Sequence, residues 1–172
     1  MAFVKAQSTE VAASRSQGEL EKVLRRYGAT GFGVQSDYAA GQIRVFFRVP
    51  DGPGEATTIP VRLEVDVKAV KVLLYNGKTK RRYRRWTPSG YVARNTDAEQ
   101  MLQAERVAWR HLVLWVDAAL SAAAAGVQKV SEAFLAQTLV RGEKGQVMRV
   151  VDQMDLQTGG NWRALLSSGD KS

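Results

Sequence analysis

The sequence predicts an α+β domain: an antiparallel meander of three to four strands packed against a long helix, with short N- and C-terminal helices. Three observations carry that prediction. Apolar residues alternate with period two only in the first half of the chain. A helical apolar period dominates residues 97–125. Strands precede helices instead of interleaving with them, which separates α+β from a wound α/β sheet. The 172 residues are enough for one domain with its own core. At 45% hydrophobic and 24% charged residues the composition is that of a globular chain.

Residues 1–15 read as a flexible arm ahead of a single domain spanning 16–172. Ser16 and Glu19 have capping-box spacing. Leu20, Val23, Leu24 and Tyr27 follow at helical spacing, and Gly28 suits the stop. A hairpin comes next. Phe32, Val34, Ser36 and Tyr38 alternate, residues 39–41 turn, and Ile43, Val45, Phe47 and Val49 alternate against Gln42, Arg44, Phe46 and Arg48 on the opposite face. "PDGPG" (50–54) is a loop. In the third strand Ile59, Val61, Leu63 and Val65 point one way, and Arg62, Glu64 and Asp66 the other. The β-branched content of Val67–Tyr75 favours a fourth strand, although Val67, Val70, Lys71 and Leu74 also fit a helix turn. Asn76–Gly77 is a turn signal. The segment at about 76–95 then leaves the sheet as a loop or an extended β-hairpin arm.

Thr96 and Glu99 form a second capping box, opening a helix from Asp97 to about Ala125 that Gly126 ends. It is roughly 40 Å long. Leu102, Trp109, Leu112, Val116 and Leu120 make one apolar stripe; Ala104, Ala108, Trp115, Ala118 and Ala122 make a second; Arg106, Arg110, Asp117 and Ser121 are the polar remainder. Such a helix packs on more than one side. One side covers the sheet, and the other meets C-terminal helices or another subunit, so a homo-oligomer is expected. "VSEAFLAQTLV" and "QVMRVVDQMDL" read as two shorter helices, with Val147, Val150, Val151 and Met154 keeping the period in the last. Gly159–Gly160 stops it, and Trp162, Leu165 and Leu166 are placed to dock the tail.

Several function classes are disfavoured. No apolar run approaches the ~20 residues of a membrane span, and the first twenty residues hold no signal-peptide core; a cytoplasmic protein is expected. With no cysteine there are no disulfides, thiolate metal sites or thiol nucleophile. The single histidine, His111, sits mid-helix with no nucleophile at a recognisable spacing. Glu64 and Asp66, beside Arg62, read as a solvated strand face before they read as a metal pair. "GATGFG" (28–33) joins a helix to a strand, the reverse of a dinucleotide-binding turn. The expectation is a non-enzyme without cofactor or metal.

The charge distribution is the strongest functional signal. Formal net charge is +8. "KTKRRYRRWTP" (78–88) gathers Lys78, Lys80, Arg81, Arg82, Arg84 and Arg85. Those six cations account for all but two of the excess. Tyr83 and Trp86 are set among them, and Tyr91 and Arg94 follow. Cations neutralise phosphates and release counterions. Rings offer faces on which unpaired bases stack. Lys78, Lys80, Arg81, Arg82, Arg84, Arg85 and Arg94 are therefore expected to hold phosphates, with Tyr83, Trp86 and Tyr91 stacking bases. Arg44 and Arg48, with Phe46, would extend that surface onto the sheet. The expected partner is single-stranded DNA or RNA. A basic run also suits a contact to an acidic protein.

Arg26–Thr30 (R-Y-G-A-T), Ile43–Pro50 (a strand ending in proline), Trp109–Leu112 (W-R-x-L), Gly126 and Phe134–Ala136 (F-L-A) occur in an order that resembles a family of small proteins encoded in bacteriophage and prophage gene clusters. The likeness touches most of residues 16–166; the segment from about Val67 to Tyr91 departs from it. It implies an infected or lysogenic bacterial host. The strands-then-long-helix order is loosely similar to single-strand annealing proteins, which assemble as rings or filaments around one strand in a basic groove. That likeness implies oligomerisation and recombination by strand annealing. The alternative expectation is a phage structural or host-interaction protein whose basic arm grips an acidic protein.

Overall fold

The computed structural model describes residues 6, 8–52, 57–75, 83–87, 90–94, 96–142 and 145–158; of 83–87, 90–94, 157 and 158 it describes the backbone alone. It has the α+β architecture that the sequence predicts. Helix α1 (Ala13–Arg26) leads into a three-stranded antiparallel meander, β1 (Gly31–Asp37), β2 (Gln42–Pro50) and β3 (Thr58–Asp66). Helix α2 (Val67–Tyr75), a separate hairpin of β4 (Tyr83–Thr87) and β5 (Gly90–Arg94), and the long helix α3 (Asp97–Ala124) follow. The chain then forms α4 (Val130–Ala133), a 3-10 turn (Leu135–Gln137), a short hairpin of β6 (Leu139–Arg141) and β7 (Val147–Arg149), and α5 (Val150–Thr158). No helix among the described residues is long and apolar enough to cross a membrane.

One apolar cluster organises these elements. The alternate residues Ile43, Val45, Phe47 and Val49 of β2, with Val61 and Leu63 of β3, form its sheet side. Leu20, Val23 and Leu24 of α1 and Trp109, Leu112, Val113, Val116 and Leu120 of α3 form its helical side. The register Val45↔Leu63 and Phe47↔Val61 keeps the apolar positions of neighbouring strands on one face. Helices α1 and α3 run parallel: Glu19 pairs with Arg110, Arg26 with Asp117, and the Tyr27 hydroxyl meets Ser121 Oγ at 2.7 Å. Phe134, fully buried, closes the core with its ring edge-on to Phe47 and Trp115.

Local chemistry explains the boundaries. Thr96 caps α3 as expected, its hydroxyl accepting from Glu99 N while the Glu99 carboxylate accepts from Thr96 N. Gly126 adopts φ +74°, which ends the helix at little steric cost. The turn between β1 and β2 is set by Asp37, whose carboxylate accepts from Ala40 N at 2.8 Å, and by Gly41 at φ +72°.

The structure corrects five expectations. Val67–Tyr75 is a helix, not a fourth strand. Asp66 accepts from Ala69 N at 3.0 Å and so caps it, while Val67 and Leu74 reach the core. The Ser16–Glu19 capping box does not form. Helix α1 begins at Ala13, inside the expected arm, and its Ala12 cap makes no side-chain bond. Ser16 lies four residues before Leu20 on the buried face, and Glu19 turns to Arg110 and Arg15 instead. The expected helix across "VSEAFLAQTLV" breaks after α4, because Phe134 enters the core and Thr138 bridges to Val61 at the edge of β3. The last expected helix begins with a strand: Val147–Arg149 pairs with β6, and α5 starts only at Val150. On α3, Leu102 is exposed instead of buried. Trp162, Leu165 and Leu166 lie outside the described residues.

Candidate nucleic-acid interface

Two surfaces hold those of the residues singled out from the sequence that the structure describes. The first is the β4–β5 hairpin. Tyr83 pairs with Arg94, Arg84 with Ala93, Arg85 with Val92, Trp86 with Tyr91, and Thr87 with Gly90. The described part of the basic segment, Tyr83–Thr87 with Gly90–Arg94, is therefore a hairpin. Strand alternation puts positions 84, 86, 91 and 93 on one face of the ribbon and 83, 85, 92 and 94 on the other. Each face thus holds both cationic and aromatic positions. Lys78, Lys80, Arg81 and Arg82 lie outside the described residues.

The second surface is the outer face of the meander, opposite the core. It carries Gln42, Arg44, Phe46 and Arg48 from β2 and Pro60, Arg62, Glu64 and Asp66 from β3, with Arg44 opposite Glu64 and Phe46 opposite Arg62. Arg44 donates from Nε to Glu64 Oε1 at 3.2 Å and from Nη2 to Gln42 Oε1 at 3.1 Å. Arg62 Nε lies 3.3 Å from the same Glu64 oxygen, as an ionic contact without hydrogen-bond geometry. Arg62 Nη2 donates to Asp152 Oδ2 at 3.0 Å. Arg149, at the end of β7, contacts Glu64 Oε2 at 3.1 Å and donates to both Asp152 oxygens, at 2.7 and 3.0 Å. Three guanidiniums thus share two carboxylates. The network pins the start of α5 to β3 and keeps one surplus positive charge.

The electrostatic consequences follow from that geometry. The Arg149 hydrogen bond holds the Asp152 carboxyl below its ordinary value, against the opposing effect of desolvation. The same bond raises Arg149. Arg44 is therefore tied to an acid. Arg48 is exposed and pairs with no acid among the described residues.

The remaining candidates resolve plainly. Glu64 is engaged by arginines, and Asp66 caps α2. No group of three or more metal-ligating side chains occurs among the described residues. His111 is half-buried on α3. Sequence reasoning overlooked Arg149, whose place depends on the β7 strand that the helical period obscured. It also overlooked Gly31 and Gly33, which face Arg48 and Phe46 across β1. No protein-family model, curated protein or solved structure matches the chain.

Proposed function

We propose that this chain is a phage-encoded single-stranded nucleic-acid-binding protein, with DNA favoured over RNA, that works as an oligomer in the cytoplasm of a bacterial host and anneals strands. The observation that carries the reading is the pairing of Tyr83–Thr87 with Gly90–Arg94 as a hairpin, with Trp86 directly across from Tyr91. Aromatic and cationic positions set side by side on one ribbon suit the bases and phosphates of one strand. The clustering of positive charge there supports a polyanion partner. Oligomerisation is supported by α3: Ala104 and Ala108 of its second stripe are buried, whereas Trp115 and Ala118 of the same stripe are exposed.

The test is fluorescence anisotropy on Trp86→Ala with single-stranded and duplex oligonucleotides. Stacking predicts a loss of roughly 1–3 kcal/mol on the single strand and little change on the duplex, whose bases are already stacked. Equal losses on both contradict stacking. A wild-type protein that purifies free of nucleic acid and shifts no oligonucleotide at low salt points instead to an acidic protein partner.

A further inference from the structure

The outer sheet face holds an aromatic ring that the fold does not use. Phe46 is half-buried and stands outside the core cluster, whereas Phe47 belongs to it and Phe32 packs against it. Its register neighbours are Gly33 on β1 and Arg62 on β3, and Gly31 faces Arg48. A Cβ placed on Gly31 or Gly33 would meet no heavy atom within 4 Å. Strand β1 therefore leaves an open bay along one side of the ring. Neither glycine has the left-handed φ that would explain its presence. Glycine inside a strand weakens it, and it often marks a place where a ligand approaches the backbone. Beyond the bay stands Arg48, exposed and without an acid partner among the described residues. The adjoining arginine network adds its surplus charge.

A flat apolar surface beside an open bay suits a planar ring, and a guanidinium next to it suits a phosphate. An unpaired nucleotide supplies both; a base pair in a duplex hides the base face. We infer that Phe46, Gly31, Gly33 and Arg48 form a second binding site, on the sheet, that stacks one unpaired base and holds its phosphate. The inference rests on the reading above for the nature of the polymer. It adds a surface on elements other than the hairpin.

The test uses the full chain and oligothymidylate containing iodouracil. Photocrosslinking followed by peptide mass spectrometry is expected to place a crosslink at Phe46. In anisotropy titrations, Phe46→Leu and Gly33→Val are each expected to weaken single-strand binding roughly five- to 150-fold, the range that stacking of one base spans, with the salt slope unchanged. Arg48→Ala is expected to lower the slope by about 0.7. Gly33→Val fills the bay with a strand-favouring side chain, so its melting temperature should equal or exceed that of the wild type; its loss of affinity is then not a folding defect. Wild-type affinity in both Phe46→Leu and Gly33→Val, with crosslinks confined to the hairpin, overturns the sheet site and leaves the hairpin reading standing. No binding by the wild type at low salt overturns both.

Discussion

Replacing Glu64 by glutamine removes the charge that three guanidiniums share. Arg44, Arg62 and Arg149 approach its carboxylate at 3.2, 3.3 and 3.1 Å. After substitution they are left with Asp152 alone, so three positive charges face one negative charge. The network is only partly sheltered, with side-chain exposure from 21% at Arg149 to 34% at Arg44. The scale for exposed pairs therefore applies, about 0.2–1 kcal/mol each. Glutamine keeps one acceptor oxygen, while repulsion among the arginines grows. The expected loss is about 1–2 kcal/mol. For a chain of this length that lowers the melting temperature by about 2–8 °C. The same change frees guanidiniums on the outer sheet face. Single-strand affinity should rise, and the salt slope should steepen by about 0.7 for each arginine that reaches a phosphate. Circular-dichroism melts at low salt and in 1 M NaCl, paired with anisotropy titrations, read both effects. Screening should shrink the difference in melting temperature at high salt. An unchanged melt, a difference indifferent to salt, or affinity that falls together with stability would refute this reasoning.

Other consequences are equally direct. Phe134→Ala empties a fully buried site between Phe47 and Trp115 and should cost about 3–5 kcal/mol in denaturant unfolding; a loss below about 1 kcal/mol contradicts the packing described. Asp152 titrates below its ordinary 3.8 in the folded chain, so its contribution is present above the unfolded value and is lost as pH falls through the lower, folded one. Hydrogen exchange should show the β6–β7–α5 segment losing protection in acid before the meander does, and Asp152→Asn should abolish that pH dependence; a segment equally protected throughout would speak against it. Gly41→Ala forces a Cβ onto φ +72° and to 2.9 Å from Lys68 Cγ, which should cost about 1–2 kcal/mol. Adding Lys68→Ala should recover only the steric share, and full recovery would mean that the backbone was never strained.

The parts of the fold legible in the sequence were those whose local signals agree with their burial. Ile43, Val45, Phe47 and Val49 alternate and are all buried; Thr96 and Glu99 have box spacing and cap α3. Misreadings arose where tertiary contacts outweighed local preference. Three of the nine residues of α2 are valine, a strand-like composition, yet the Asp66 cap and the burial of Val67 and Leu74 make it helical. The signal was present, as an acidic cap ahead of apolar residues at helical spacing. Ser16 had the spacing of a cap but lies on the face that Leu20 and Leu24 bury. Phe134 breaks its segment because its ring is needed in the core, which no local pattern states. For the candidate site, composition alone singled out the basic segment, and the choice between loop and hairpin for its described part came from strand pairing. The open bay beside Phe46 was not legible, because it depends on which β1 residues stand opposite it, and register is a pairing between strands.

Salt dependence of single-strand binding tests the central claim most directly. If the six cations of Lys78–Arg85 all contact phosphates, log affinity plotted against log salt should fall with a slope near −4, at ~0.7 per contact, and the single strand should be preferred over duplex. A flat response, or equal affinity for both forms, would contradict the account.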